Sequence, residues 1–501
     1  MTIRVILMSI GVLFGAVCSS LPAGARENVG PKDTSRLVLG LEDALKIALC
    51  ENISVKVADK EVERAGYAKK GTYASLFPKI DISAVFQRTI KKQVMYMDFD
   101  MSKFMGGSGT GSGTGSGTGS GTGTGKPKFP SSKEGIEVGR WNTYNGGISA
   151  SMPLVNAQLW KSLDISGSTV ELAVEKARSS RLEMVTQVKQ AYFSVLLAKE
   201  AFNVYKSAYD NAEENFKQTE KRYKAFKASE LEYTRAKANV ANAIPNLYNA
   251  ESSIVLGLWQ LKAVIGIDLD RDIDVSGTLD DYSGEMLYDF SRSDSTSVDR
   301  NTVMRQLSIQ AEQLAQMVKL KQYAYLPSLA ANFSYSMNAM ANDFKFSEYR
   351  WTPHSYVGIS LAIPVFSGGK RYNDVRQAKV QATELDLQRI NTERQLKIAI
   401  RQYTNTMETN FKSYAAAQEA VGMAQKAYDI SETSYNLGKS TLTDLNDAQL
   451  VLTRSRLAEA QAIFNFIVAK AKLEQTIGYD FINDDGSTNL DTYSINSLNN
   501  R

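Results

Sequence analysis

The chain carries one segment twice. Residues 229–268 and 441–480 align without a gap at an offset of 212, with Ala236 on Ala448, Leu261 on Leu473, Gly266 on Gly478 and Asp268 on Asp480. Upstream, Leu76-Phe77-Pro78 corresponds to Tyr325-Leu326-Pro327, and Ile148 through Pro153 to Ile359 through Pro364. Self-similarity of this length marks a duplicated structural unit, so the fold must hold two copies of one plan. The repeats are expected at 38–268 and 299–480, with a linker or equatorial segment at 269–298 and a tail at 481–501.

Each copy changes period along its length. In the first, residues 41–76 read as a helix, and Pro78 stops it. From Ile80 the period is two: Ile80, Ile82, Ala84 and Phe86 alternate with Asp81, Ser83, Val85 and Gln87. That pattern is a strand with one apolar face. A return strand runs from about Tyr144 to Met152. Between the two, residues 106–125 are Gly, Ser and Thr only, with no side chains to bury. They read as a long exposed loop at a hairpin tip. The second copy repeats the order: a helix at 299–325, Pro327, a strand from Ser328 to Met337 and a return strand from Ser355 to Ile363. Its loop holds Phe344, Phe346, Tyr349 and Trp351. Aromatics near strand ends suit a membrane interface, and they also suit ordinary strand packing.

A very long helix follows each hairpin. The second runs from about Arg371 to Tyr435 with no proline, and its apolar stripe includes Leu396, Ile400, Tyr403, Met407, Phe411, Ala424 and Tyr428. Steps of three and four make a coiled-coil seam. The first runs from about Ala157 to Tyr223, with Val185, Val188, Tyr192 and Val195 on its stripe. At 1.5 Å per residue such a helix is roughly 100 Å long. Each returns through a turn as a shorter helix, 229–264 or 441–476. Two short helices end to end would match one long one, giving four helical columns. Pro245 is expected to kink or break its helix.

Four strands cannot close a barrel, and an open edge in lipid leaves backbone groups unpaired at several kcal/mol each. Such a chain must associate. Two copies give eight strands and three give twelve, and the larger barrel leaves a lumen. The second strand face, rich in Ser, Asn and Gly, suits water.

The inventory narrows the function. Arg4, the run Val5 to Val17 and Ala23-Gly24-Ala25 form an expected signal peptide at 1–25. The apolar run is too short for a membrane anchor. Lipidation at Cys18 is the second option, although Val17 stands where a small residue would be expected. After cleavage Cys50 is the only cysteine and His354 the only histidine. A His/Cys metal site and a histidine triad are excluded, and neither a catalytic site nor a cofactor is expected. The 58 basic and 54 acidic residues nearly balance, which gives no basic face for nucleic acid.

The chain resembles the TolC-like outer membrane efflux proteins over about residues 38–480. The resemblance rests on the repeat, on Pro78 and Pro327 at each strand entry, and on Ile359-x-Leu361-x-Ile363-Pro364-Val365-Phe366-Ser367-Gly368-Gly369. It also rests on Tyr435-x-x-Gly438 leading into Leu442 through Ala448, and on Leu473-x-x-x-Ile477-Gly478. It implies a mixed α and β fold: an outer-membrane barrel of twelve strands shared by a homotrimer, continuous with a periplasmic α-helical tunnel. It implies outer membrane lipid around the barrel, a periplasmic adaptor, and an inner-membrane transporter of RND, ABC or MFS type. The function implied is the exit duct of an efflux or type I secretion system. The tunnel tip of the family carries acidic rings, here Asp444 and Asp447, and a tyrosine, here Tyr435, before the turn glycine Gly438. A basic residue two after that glycine ties helix pairs closed in well-known members. Here Ser440 stands in that place, so a charged latch of the usual form does not carry over. Phe226 stands where the second repeat has Gly438.

A structural reading competes at these acids. Ser229-x-x-Glu232 and Thr441-x-x-Asp444 both fit a capping box, whereas Asp447 falls outside it. The alternative for the whole chain is an exported coiled-coil structural or adaptor protein without a pore. The amphipathic strands argue against it.

Overall fold

The computed structural model describes residues 37–95, 136–286 and 298–479. The signal segment 1–25, the glycine-rich loop 106–125, the tail 481–501 and residues 287–297 of the linker lie outside the described residues.

The described chain packs as two compact units, and each draws on both repeats. One takes the described residues of Met1–Asn52, Met184–Asp289 and Thr406–Ala471; the other takes those of Ile53–Glu183, Phe290–Asn405 and Lys472–Arg501. The helices are α1 (Leu41–Glu51), α2 (Ile53–Ala74), α3 (Ala157–Lys224), α4 (Glu230–Ile265), α5 (Thr302–Tyr323), α6 (Lys370–Asn436) and α7 (Leu442–Ile477). The two long helices, α3 and α6, have 68 and 67 residues, and the two return helices, α4 and α7, have 36 each. None of these helices is long and apolar enough to cross a membrane.

One expectation needs correction. The helix at 41–76 is interrupted, and the breaker is Asn52. Asn52 leaves the helix with ψ at 132°, and its amide nitrogen reaches the Val264 carbonyl at 2.7 Å, in the last turn of α4. A carbonyl that α4 cannot pair internally thereby gains a donor. The second repeat has the same joint: Asn301 donates to the Thr476 carbonyl at 2.7 Å and also caps α5 at Val303 and Met304. Pro245, in turn, does not break α4, which continues from Glu230 to Ile265.

The sheet lies within one unit. It consists of β2 (Lys79–Arg88), β5 (Asn142–Val155), β7 (Ser328–Ala341) and β8 (Thr352–Ala362), hydrogen-bonded in that order. The labels β1 (Leu37–Leu39), β3 (Gln93–Met95), β4 (Ile136–Val138) and β6 (Ile273–Val275) belong to short two-stranded pairs. All pairings in the four-stranded sheet are antiparallel, and their register aligns like with like. Ile80, Ala150, Phe333 and Val357 form one row, and Ile82, Ile148, Tyr335 and Ser355 another. On the opposite face stand Ser83, Gly147, Ser336 and His354, and Asp81, Ser149, Ser334 and Tyr356. Directly paired residues share a face, so one face is mainly apolar and the other mainly polar across all four strands. A Cβ on Gly147 would meet the Tyr335 carbonyl at 2.7 Å, so only glycine fits this strand crossing. Among the described residues β2 and β8 are the open edges. The apolar face is bare: Ile82 is 79% exposed and Val357 80%.

At the loop end of the sheet, Phe86 stacks on Tyr144 at 5.0 Å, and Tyr144 meets Phe346 and Tyr349 at 5.2 and 5.4 Å. The second-repeat loop therefore folds its aromatics over the first repeat's strands.

In the other unit, the linker contributes β6, which pairs in parallel with β1. This small sheet seats on α3. The Tyr192 hydroxyl, fully buried, donates to the Ser276 carbonyl at 2.7 Å, and Lys199 pairs with Asp274 at 2.6 Å. Burial raises the pKa of Tyr192, which keeps the phenol neutral.

Candidate functional site: the turns that end the long helices

Both long helices end in the same backbone turn. In the second repeat Lys439 N–H bonds to the Ser434 carbonyl and Gly438 N–H to that of Tyr435, with Gly438 at φ +72°. This is the left-handed C-terminal motif that glycine favours. In the first, Lys227 N–H bonds to the Arg222 carbonyl and Phe226 N–H to that of Tyr223. Here Phe226 holds φ +57°, and it is the only described non-glycine residue with positive φ. A left-handed L residue costs about 1–2 kcal/mol.

The return helices start with reciprocal caps. Ser229 N–H donates to the Glu232 carboxylate at 3.1 Å, and Glu232 N–H to the Ser229 hydroxyl at 3.2 Å. Thr441 donates to the Asp444 carboxylate from its N–H at 2.9 Å and from its hydroxyl at 2.7 Å, and Asp444 N–H returns a bond at 3.2 Å. These bonds from the Thr441 backbone and side chain lower the pKa of Asp444. Asp447 lies one turn further on and outside the box. Leu442, Leu445 and Leu452 turn inward, while Asp444 and Asp447 share the exposed side of α7. At the positions of Asp444 and Asp447 the first repeat has Glu232 and Arg235. The acidic pair is therefore a property of one turn only.

Tyr435 is 4% exposed and sits in a cluster with Ala236, Ala424, Tyr428, Leu442, Leu445 and Leu452. Its hydroxyl shares a hydrogen bond of 2.8 Å with Thr219, which is fully buried on α3. Arg222, also on α3, donates to the carbonyls of Tyr435 at 3.1 Å and Asn436 at 2.7 Å. Its guanidinium carbon stands 5.0 Å from the Tyr435 ring centroid. Cationic donors suit the negative end of a helix. Ser440 instead folds back, its hydroxyl 3.4 Å from the Ser431 carbonyl. The basic side chain bonded to this turn is thus supplied by the other repeat. Sequence reasoning sought it after Gly438 and missed Arg222. The available signal was the repeat itself: Arg222 aligns with Ser434, so the two turns differ in charge there.

Behind the turn, Glu432, Glu214 and Asp429 lie near Tyr428. Burial and the nearby Glu432 carboxylate push Tyr428 up to about 12. Burial, then Glu214 and Asp429, raise the pKa of Glu432. Asn211 bridges to Gln449 at 2.9 Å, so α3 is tied to α7 as well as to α6. Among the described residues no group of acids, histidines or cysteines is arranged to hold a metal ion.

The architecture has close parallels. The Campylobacter jejuni CmeC outer membrane channel superposes with a TM-score of 0.65 at 19% identity, over 87% of this chain and 85% of that one. The outer membrane protein TolC of Vibrio cholerae is 21% identical, over 67% of this chain and 76% of its own. The cobalt-zinc-cadmium resistance protein CzcC of Cupriavidus metallidurans is 21% identical, over 70% and 81%. The family described as outer membrane efflux protein matches residues 44–267 and 295–479. Those two stretches hold the sheet, both long helices and both turns, and the chain belongs to the outer membrane efflux protein family.

Proposed function

We propose that three copies of this chain form the exit duct of an efflux or type I secretion system. The observation that carries this reading is the sheet: four strands, one apolar face, one polar face and two open edges. Joining the β8 edge of one copy to the β2 edge of the next gives twelve strands in a trimer, enough to leave a lumen. The apolar rows then face lipid and the Ser, Asn and Gly rows line water. A spacer rod without a pore has no need of such a sheet.

The turns of α3 and α6 form the tunnel tip in this reading. Asp444 and Asp447 of three copies make two rings, six carboxylates in all, at the narrow end. Tyr435, Gly438 and Arg222 hold the tip shut, and Ser440 and Glu232 shape the turns. A periplasmic adaptor binds outside the tip, and an inner-membrane transporter chooses the cargo. The duct needs no catalytic residues and no cofactor.

Mass measurement in mild detergent tests the assembly, with three copies per particle expected. A stable monomer in detergent-free buffer would exclude the barrel.

A further inference from the structure

Positive charge is concentrated where the helices meet the sheet. The ten sheet-proximal residues of α2, α3, α5 and α6, at 65–74, 157–166, 314–323 and 370–379, carry nine lysines and arginines and two aspartates. That is an excess of seven, against four for the whole chain. Both aspartates are paired: Asp164 with Lys161 at 2.7 Å and Asp374 with Lys370 at 2.9 Å. The connecting residues 75–78, 324–327 and 363–369 carry no charge, and at the strand entry Lys79 pairs with Asp81 at 3.2 Å. The excess is local. Over the next five residues of each helix, Glu61, Glu63, Glu171, Glu312 and Glu384 outnumber Lys60 and Arg64. None of the nine basic residues is buried.

The collar is apolar between its charges. Tyr73, Phe77, Trp160, Tyr325, Phe366 and Tyr372 are exposed there. The Arg371 guanidinium lies 5.5 Å from the Tyr325 ring centroid, and that of Arg376 5.0 Å from the Tyr372 ring. A groove of about 540 Å³ between α2 and α3 sets Lys69 and Lys70 beside Tyr73, Phe77 and Val170. The bare apolar face of the sheet runs up to the collar through Ile359 and Leu361, 70% and 60% exposed.

We propose that this collar binds the phosphates of anionic glycerophospholipids, and that the groove seats one such lipid, with its phosphate on Lys69 and Lys70 and an acyl chain along Tyr73, Phe77 and Val170. Lysines and arginines close to a leaflet attract its anionic headgroups. Tyrosine and tryptophan suit headgroup depth, with an apolar ring and a polar edge. Continuity with the bare sheet face singles out a lipid, because an acidic protein or a nucleic acid would have no use for apolar rows that begin where the charges end. The leaflet concerned, the one on the periplasmic side, rests on the exit-duct reading. The collar thus gives the channel a preference among lipids that its apolar strands alone cannot supply.

The test titrates full-length trimers in mild detergent with phosphatidylglycerol and, separately, with phosphatidylethanolamine of the same acyl chains, and counts bound lipids by native mass spectrometry. The wild type is expected to hold phosphatidylglycerol about tenfold more tightly, since each lysine near the headgroup adds roughly that factor, and to lose the difference at high salt. Lys69→Gln with Lys70→Gln is expected to remove most of the preference, and adding Lys319→Gln and Arg376→Gln to remove the rest. Lys412→Gln, an exposed lysine of α6 outside the collar, is expected to leave it unchanged. Equal affinity of the wild type for the two lipids overturns the collar, and so does a preference that survives the quadruple variant. A quadruple variant whose reversal potential in planar bilayers shifts toward cations while its lipid preference stays intact places these charges in the lumen and also overturns it. Each of these results leaves the duct standing; wild-type protein that forms neither trimers nor channels overturns the duct reading instead.

Discussion

The Arg222 guanidinium, at the end of one repeat's long helix, donates at 3.1 Å to the Tyr435 carbonyl at the end of the other's and lies over the same tyrosine's ring. The repeat gives Tyr435 a counterpart in Tyr223, yet only Tyr435 is buried. Tyr223 is 38% exposed and stacks on Tyr233 at 4.9 Å. Duplication therefore produced two similar turns with different duties. One turn is clasped, and the other provides the clasp.

Breaking that clasp should loosen the tip. Arg222→Gln removes two charge-assisted bonds to carbonyls at a helix end, worth about 1–3 kcal/mol. We expect a lower melting temperature and a higher single-channel conductance in planar bilayers. Unchanged conductance would leave Arg222 as a helix cap only.

The paired asparagine joints should differ in strength. Asn52→Ala strands the Val264 carbonyl, and an unpaired buried acceptor costs about 1–3 kcal/mol. Asn301→Ala strands the Thr476 carbonyl and also uncaps Val303 and Met304, adding roughly 1 kcal/mol. Denaturant titration of the intact trimer should rank Asn301→Ala as the more damaging. The reverse order would mean that the cap carries little.

Much of this fold was legible because its signals are periodic. Alternation over Ile80–Phe86 and the stripe through Ile400 and Met407 are set by geometry, which repeats every two or about 3.6 residues. Pro78 and Pro327 are legible for a different reason, since proline lacks the N–H a helix needs and keeps the residue before it extended. The Asn52 break was not legible: the local sequence reads as helix, and the deciding bond runs to Val264, far along the chain. Pro245 sits inside α4 without ending it, because α4 runs unbroken from Glu230 to Ile265. At the tip, the boxes at Glu232 and Asp444 follow from spacing alone. The Arg222 clasp joins different repeats and no local pattern encodes it.

Glu432 gives a pH signature. Burial, Glu214 and Asp429 raise its pKa, so the folded protein disfavours its charged form. Stability from this group therefore rises as pH falls through the raised pKa, and the penalty is complete well above it. Glu432→Gln should raise the melting temperature at pH 7–8 (about three units or more above a free Glu) and lose that advantage near pH 4, roughly the free value. An equal gain at both pH values would point to packing instead of charge.

The acidic pair gives the sharpest test of the duct. Asp444 and Asp447 share the exposed side of α7, and acidic rings at a constriction concentrate cations and repel anions. Reconstituted channels should be cation-selective by reversal potential across a salt gradient. Asp444→Asn with Asp447→Asn should weaken that selectivity, while Glu232→Gln, whose carboxylate serves the Ser229 cap, should hardly change it. The pH course follows from the Thr441 bonds, which lower Asp444 from its ordinary 3.8. Its charge, and the stability its box contributes, persist above the unfolded value and are lost only as pH falls through the lowered one. Thr441→Val removes the hydroxyl bond, so selectivity should then fade at a higher pH than in the wild type. If the double mutant keeps the wild-type reversal potential with its trimer intact, these carboxylates serve the helix and not the pore.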